Sequence, residues 1–203
     1  GLVCLASSAE DSFTFSISED ITTIVNNGVA TFGSSDAPIT VYQGTYIQQQ
    51  FEVDGSLDQR FIIDNSFVDS STIVAHVKGP SDNAPGIQFS KVDNIVGVTT
   101  SSSIYLIQEV QDQKYELLFG DGVFGKKLDN GTQITVGYII TDGREGNGAS
   151  NFTYSGTVTN SLKDIIPPTA LPSITTVSKA ANGGDIESID SVKYFAPRLY
   201  SAQ

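Results

Sequence analysis

Few residues of this chain have the chemistry that catalysis or metal binding needs, and the sequence does not assemble them into a complete site. His76 is the only histidine and Cys4 is the only cysteine. One chain can therefore form neither an internal disulfide nor a Cys-based zinc site. His76 lies in TIVAHVK, where it alternates with residues that the pattern buries, which favours a structural histidine over a catalytic one. A Ser-His-Asp triad would have to use His76, and no G-x-S-x-G motif occurs.

The best set of oxygen ligands is the segment DGREGNG at residues 142–148, which contains Asp142, Glu145 and Asn147. This segment lacks the regular acidic spacing and the terminal bidentate Glu of a calcium loop, and Arg144 lies in its middle. The alternative interpretation is a loop whose glycines place backbone against a neighbour. The sequence favours this alternative, and we predict no metal site.

Two further arrangements could support chemistry. The string GDGVFGKK at residues 120–127 has glycines and lysines, but its spacing is not GxxxxGK[ST] and another turn follows it instead of a helix. Paired carboxylates for glycoside hydrolysis stay open, because their separation is a three-dimensional property. The conceivable members are Asp69, Glu109, Glu116 and Asp121. Some pairing is inevitable among 23 acidic residues, and we predict no catalytic residue, no cofactor and no enzymatic activity.

The charge balance limits the partners that this chain can bind. Its 203 residues include 11 basic and 23 acidic ones, which gives a formal net charge of -12. Such a surface repels phosphate, and the only adjacent basic pair is Lys126-Lys127, so we expect no nucleic acid partner. An anionic membrane is disfavoured for the same reason, and no apolar run approaches the ~20 residues of a membrane span. We also expect no small-molecule substrate.

The elements that would position these residues are predicted to be strands. In residues 114–150, the side chains of Tyr115, Leu117 and Phe119 alternate with their neighbours, and a second alternating run covers residues 134–140. Asp121-Gly122, Asn130-Gly131 and Asp142-Gly143 interrupt these runs, and such pairs suit tight reversals because Gly accepts positive φ.

Other segments show the same two-residue period. The predicted strands and turns lie in SFTFSIS (12–18), a turn at Asn26-Asn27-Gly28, ITVYQGTYIQQQFEVDG (39–55) with a bend at Gly44, RFIIDNSFVDSSTIVAHV (60–77), SIYLIQE (103–109), and a short strand around Phe152 and Tyr154. The predicted fold class is mainly β, with antiparallel hairpins that form a sandwich or a barrel-like domain or domains. Pro167, Pro168 and Pro172 indicate a linker or an edge, because proline has no amide hydrogen to donate.

One short amphipathic helix is predicted near the C-terminus, over Asp185–Ala196 and ending before Pro197. Four apolar residues recur there at helical spacing, and they are Ile186, Ile189, Val192 and Phe195. Such a face packs within its own chain or against a partner. We name these four residues as a candidate partner interface.

The segment YELLFGDGVFGKKLDNGTQITVGYIITDGREGNGAS at residues 115–150 resembles the signature of the J-like baseplate wedge proteins of contractile-tailed bacteriophages. Further stretches extend the resemblance over most of the chain from about Val41, and they are VYQGTYIQQQF, RFIIDNSFVDSSTIVAHV, SIYLIQE and GGDIESIDSVKYFAPR. The resemblance implies a structural subunit that joins wedges into the baseplate ring and relays conformational change to sheath contraction. It implies a place in the virion after assembly in the host cytoplasm. The implied partners are other wedge proteins and further copies of this chain.

The sequence also predicts a division of the chain and leaves two other functions open. Residues 1–36 would end a preceding β-segment, residues 37–166 would form the main β-region, and residues 167–203 would be a linker and helix leading to a further C-terminal part. The chain has no Met and begins with Gly1, so we expect an internal fragment of a longer protein. The alternative functions are a carbohydrate-binding β-sandwich of a tail fibre or adhesin, and a β-rich glycan hydrolase.

Overall fold

The structure is a computed structural model that describes residues 3–7, 11–18, 21, 23–34, 36–155, 159, 160, 162, 164–167 and 174–201. These residues are mainly β, as the alternating patterns predict. The elements in chain order are β1 (Val3–Ser7), β2 (Ser12–Ser16), β3 (Ile24–Asn26), β4 (Val29–Thr31), β5 (Tyr42–Gln43), β6 (Thr45–Glu52), β7 (Phe61–Ile63), β8 (Val68–Lys78), β9 (Ile87–Lys91), β10 (Ile104–Val110), β11 (Lys114–Phe119), β12 (Gln133–Ile140), β13 (Ser150–Tyr154) and the helix α1 (Ile189–Ser201).

Seven of the strands form one curved sheet, in the order β6, β12, β8, β9, β10, β11, β7. Neighbouring strands are antiparallel except for β9 and β10, which are parallel. The two outer strands approach each other, because Gln49 Nε2 on β6 donates to the Ile62 carbonyl oxygen on β7 at 3.2 Å. The rings of Phe51 and Phe61 meet edge to face across the same gap, with centroids 5.7 Å apart. The sheet is therefore a nearly closed barrel.

The barrel interior is filled by apolar side chains that recur at every second residue along the strands. On β12, the side chains of Ile134, Val136 and Tyr138 are buried in this core. The other buried members are Val53, Ile63, Val68, Ile73, Ala75, Val77, Phe89, Tyr105 and Leu117. Full burial of a large apolar side chain stabilises a fold by about 1.5–3 kcal/mol. This core is therefore the main source of stability in the molecule.

An irregular stretch of β8 faces the end of β12, and side-chain hydrogen bonds hold it in place. The register between the two strands shifts here. Thr72 Oγ1 accepts a hydrogen bond from the Ile139 amide at 3.0 Å and donates to the Asp69 carbonyl oxygen at 2.8 Å. The buried Tyr105 hydroxyl donates to the Ile73 carbonyl oxygen at 2.7 Å. Side chains thus provide hydrogen-bond partners for backbone groups where the pairing of the two strands is irregular. Buried polar groups need such partners.

A second, four-stranded antiparallel sheet has the order β13, β1, β2, β5. Its small core contains Cys4, Ala6, Phe15 and Ala149. The Phe15 ring meets the Phe152 ring edge to face, with centroids 4.9 Å apart. In this sheet β1 and β2 pair with strands that follow residue 37, so it joins residues from both sides of the predicted boundary. The predicted three-part division of the chain stays a prediction.

The turns follow the glycine and asparagine positions that the sequence indicates. β3 and β4 form a hairpin whose two turn residues, Asn27 and Gly28, have φ of 50° and 80°. Gly122, Gly131 and Gly143 have φ of 92°, 79° and 70°. The predicted turn at Asn130-Gly131 is confirmed, because the Thr132 amide donates to the Asp129 carbonyl oxygen at 3.1 Å. At Asp121-Gly122 and Asp142-Gly143 the glycines have the positive φ that the predicted reversals need.

Gly44 connects the second sheet to the barrel, because it lies between β5 and β6. Its amide donates to the Thr14 carbonyl oxygen at 2.8 Å, and its carbonyl oxygen accepts from Ser16 Oγ at 2.9 Å. Its φ is 129°, and a Cβ atom at this position would lie 2.0 Å from the Ile140 carbonyl oxygen. Only glycine allows the backbones of the two sheets to approach this closely.

The sequence prediction gives the wrong bounds for the helix and misses one strand. The helix does not cover Asp185–Ala196 but begins at Ile189 and includes Pro197. Pro197 lacks the amide hydrogen of a helical bond, yet proline is compatible with helical φ, so the helix continues through it with one bond missing. The strand β9 and its parallel pairing with β10 were not predicted from the sequence. The predicted proline linker lies largely at residues 168–173, outside the described residues.

We expect Gly44→Ala to destabilise the fold strongly. The positive φ alone costs about 1–3 kcal/mol for a residue with a side chain, and the contact with Ile140 adds to this cost. Gly28→Ala is the matched control, because Gly28 also has positive φ but a Cβ there would meet no atom within 4 Å. Urea unfolding followed by circular dichroism compares the two variants. Equal losses of stability in both would contradict the assigned role of the Gly44 contact.

Candidate interaction surface

The helix that carries the candidate interface begins at a side-chain cap. Ser188 Oγ accepts a hydrogen bond from the Ser191 amide at 3.2 Å, and the Ser188 carbonyl oxygen accepts from the Val192 amide at 3.0 Å. Serine in this position satisfies an amide that has no partner within the helix. The cap explains why α1 begins at Ile189 and not at Asp185.

The apolar residues of the candidate interface are exposed. Ile186, Val192 and Phe195 have 51%, 47% and 50% of their surface accessible to solvent. The Phe195 ring meets the Tyr194 ring edge to face, with centroids 5.1 Å apart. Ile189 is the first residue of α1, and its side chain lies outside the described part of the structure. Exposure is what a partner interface requires, and the interface itself stays a prediction.

The chain that leads to α1 is anchored on residues 141–149, which we call the Asn147 loop. The amide of Gly148 donates to the Ala180 carbonyl oxygen at 2.8 Å. The Asn147 side chain makes two hydrogen bonds to the backbone of Gly183, both of 2.9 Å. Arg144 Nε lies 3.2 Å from Asp185 Oδ2. The Asn147 loop therefore places its backbone against residues 180–185 of the same chain.

The oxygen atoms of the Asn147 loop also bind within the chain. Asp142 Oδ2 accepts from Gln43 Nε2 at 2.6 Å. Gln43 Oε1 accepts in turn from Thr141 Oγ1 at 2.7 Å and from the Asp142 amide at 2.9 Å. Glu145 is exposed. Among the described residues, no group of three or more His, Cys, Asp or Glu side chains is arranged to hold a metal ion.

A second exposed apolar surface lies on residues 120–127, which we call the Phe124 loop. Asp121 Oδ1 accepts hydrogen bonds from the amides of Val123 and Phe124, both of 2.8 Å. These bonds hold the pKa of the Asp121 carboxyl below its usual value. The side chains of Val123 and Phe124 are nevertheless 63% and 48% exposed. The sequence predicts the turn at Asp121-Gly122 but does not predict that Val123 and Phe124 are exposed. The only feature of the sequence that could have indicated this is the presence of two apolar residues inside a glycine-rich turn.

The remaining chemical candidates are separated or engaged in local contacts. His76 is exposed on β8, and Cys4 is buried in the second core, where burial raises the pKa of its thiol. Asp69 Oδ1 accepts from the amide and the hydroxyl of Ser71. Glu109 is exposed on β10. The structure gives these side chains different surroundings and does not combine them into one site.

Glu116 lies on β11 and is covered by Arg60, whose guanidinium bonds to both carboxylate oxygens at 2.8 and 2.6 Å. These bonds lower the pKa of the Glu116 carboxyl although burial opposes the shift. Arg60 also lines a shallow groove of about 410 Å³, where Lys114 Nζ lies 2.5 Å from Asp64 Oδ1. Among the described residues, every buried side-chain nitrogen and oxygen has a hydrogen-bond partner. Of the charged residues that line this groove, Arg60, Asp64 and Lys114 are engaged in ion pairs within the protein, and Asp112 is exposed.

Comparisons with known proteins add no assignment. Neither a scan against protein-family models nor a search of curated proteins found a match to this chain. Within the described part of the chain, no helix has the length and apolar character that crossing a lipid bilayer needs.

We expect the Arg60–Glu116 pair to contribute to stability at neutral pH and to lose that contribution in acid. The folded pKa of Glu116 is below its ordinary value of 4.5, so the contribution is present above that pH and is lost as the pH falls through the folded pKa. Glu116→Gln should therefore be less stable than the parent protein at pH 7. Its stability should fall less steeply below about pH 4.5. Asp64 and Asp121 also have lowered pKa values. The stability of Glu116→Gln should therefore still decrease in acid, but less than that of the parent protein.

Thermal unfolding between pH 3 and pH 7, roughly the range over which carboxyl groups titrate, measures this effect. Glu109→Gln is the matched control, since Glu109 is exposed and makes no ion pair within the described residues. A pH dependence of Glu116→Gln that equals that of the parent protein would contradict the linkage.

Proposed function

We propose that this chain is a structural, non-enzymatic subunit of the baseplate wedge of a contractile phage tail. The resemblance of residues 115–150 to the J-like wedge signature supports this proposal. So does the role of that segment in the fold. It provides β11 and β12 of the barrel, the Phe124 loop with its exposed Val123 and Phe124, and the Asn147 loop, which anchors the chain leading to α1.

The observation that carries the proposal is the exposure of apolar side chains on α1 and on the Phe124 loop, which backbone hydrogen bonds hold against the segment before β10. Val192 and Phe195 on α1 are about half exposed, whereas the barrel and the second sheet each bury a core of their own. Apolar side chains clustered on an exposed element mark sites of protein association. A structural subunit that binds its neighbours needs such exposed apolar surfaces on a well-packed fold.

The partners that we propose are other wedge proteins and further copies of this chain. Joining wedges into a ring and relaying conformational change to the sheath both require contacts that hold while neighbouring subunits move. Contacts between packed surfaces can do this without a cofactor or a titrating centre.

Replacement of the α1 apolar residues should weaken assembly without unfolding the protein. The double variant Val192→Asp, Phe195→Asp should reduce incorporation into wedge complexes at least about tenfold, because apolar anchors at the centre of an interface carry most of its binding energy. Its thermal unfolding should match that of the parent protein, since both side chains are exposed. Val29→Asp is the matched control, because Val29 is equally an exposed valine but lies on the β3–β4 hairpin.

Mass spectrometry of purified tails and of isolated baseplates measures incorporation directly. The chain should be present in both. Its absence from baseplates, or failure of the full-length protein to associate with its tail partners, would overturn the proposed function.

A further inference from the structure

The Phe124 loop is unusually well fixed for a loop that exposes apolar side chains. A Cβ at Gly120 would lie 2.2 Å from the backbone carbon of Gly125, so the two ends of the loop cross in close contact. The amide of Gly125 donates to the Thr99 carbonyl oxygen at 3.0 Å, and the amide of Lys126 donates to the Ser102 carbonyl oxygen at 2.8 Å. The loop is thus bonded both to itself and to the segment before β10. A surface that is already ordered loses little conformational entropy when a partner binds.

The charge of the Phe124 loop is opposite to that of the whole chain. Lys126 and Lys127 are both exposed and outnumber the one acidic residue of the loop, Asp121. The whole chain carries a net charge of -12. The loop therefore presents two apolar side chains beside a local positive charge, and it fits an apolar surface flanked by carboxylates.

The helical segment of this chain has that complementary chemistry. Ile186, Val192 and Phe195 are exposed. Residues 185–195 also carry three exposed acidic residues, Asp185, Glu187 and Asp190, against one exposed lysine, Lys193, so the segment is acidic on balance. The same chain thus carries a basic apolar loop and an acidic apolar segment.

The two surfaces lie on separate elements of the chain. The Phe124 loop follows β11, whose last residue, Phe119, pairs with Tyr105 on β10, while the Asn147 loop and the segment that leads to α1 follow the end of β12. Val123, Phe124, Val192 and Phe195 are all exposed, so neither surface covers the other within one copy.

We propose that the Phe124 loop of one copy docks against the segment Asp185–Phe195 of a second copy. This inference rests on the proposed function and specifies the contact between copies. The contact joins two different surfaces, so it is heterologous, and it leaves one free loop and one free helix on every dimer. Repetition of such a contact produces a ring when the rotation closes.

Mixing two variants, each with one of the two surfaces disrupted, tests this contact. We call them the blocked variants. In sedimentation velocity experiments the parent chain should self-associate as its concentration rises, and added salt should weaken that association. Phe124→Asp alone should remain monomeric, and so should Val192→Asp, Phe195→Asp, because each variant lacks one half of every contact. Their mixture should form dimers and no larger species, since one intact loop then meets one intact helix.

The charge component has its own test. Lys126→Glu, Lys127→Glu should weaken self-association at least about tenfold through repulsion by Glu187 and Asp190. The pair Glu187→Lys, Asp190→Lys should restore association when it is mixed with the first variant. Thermal unfolding confirms that each variant is folded, and the charge variants keep the test valid if Phe124→Asp does not fold.

The outcomes separate this inference from the proposed function. A parent chain that stays monomeric, or blocked variants that do not complement each other, would overturn the copy-to-copy contact. Finding the chain in purified baseplates at the same time would leave the proposed function standing. Complementation together with absence of the chain from baseplates would instead support the contact and overturn the baseplate assignment.

Discussion

The fold depends on enclosing one apolar interior with a sheet whose outer strands meet through side chains. The strands β6 and β7 end the seven-stranded order, and Gln49 and the Phe51–Phe61 ring contact connect them. Closure therefore relies on packing of the core rather than on a continuous ladder of backbone bonds. Phe119 illustrates this, because its ring meets those of Phe61, Phe89 and Tyr105, which come from three other strands. Contacts of this kind fix the curvature of the sheet and hence the positions of its loops.

The strand β12, which lies between β6 and β8 in the sheet, fixes where the Asn147 loop begins. It pairs with β6 and β8 along its length, and Ile139 is buried as well as the core-facing side chains. A strand with partners on both edges and both faces cannot shift without disrupting the barrel. The Phe124 loop lies before β12 in the chain, and the Asn147 loop directly follows β12. The Asn147 loop is therefore attached to a strand that has partners on both edges.

Alternation of apolar residues predicts most of the strands because one face of each strand meets the core, as in β2 and β12. It fails for β9, where Ile87 is exposed and Phe89 is the buried residue, so IQFSK carries too few apolar residues to indicate a strand. The parallel pairing of β9 with β10 is set by the crossover through residues 92–103, which has no local signal. The start of α1 was predictable in principle, since Ser188 is a good capping residue, but the apolar spacing from Ile186 outweighed it.

The candidate surfaces show a different limit of sequence reasoning. The apolar spacing around Val192 identifies a face but does not say whether the protein covers it. The glycines around Phe124 indicate a turn. The exposure of this ring depends on the close approach of Gly120 and Gly125 in the folded protein, which has no local signal in the sequence. The function of a loop depends on the position in which the rest of the fold holds it. The identity of single residues in the sequence says little about that position.

The overall charge and the local charge of the chain act over different distances. Copies with a net charge of -12 repel one another, but this repulsion is screened beyond about 8 Å at physiological ionic strength. Complementary groups such as Lys126 and Glu187 act at contact, where screening is weak and apolar burial adds to the attraction. Free copies therefore associate only when their concentration is high enough for the complementary surfaces to meet, while copies that other subunits hold side by side meet at a higher effective concentration. An acidic subunit with a basic apolar loop is thus suited to associate through its complementary surfaces rather than through random contacts.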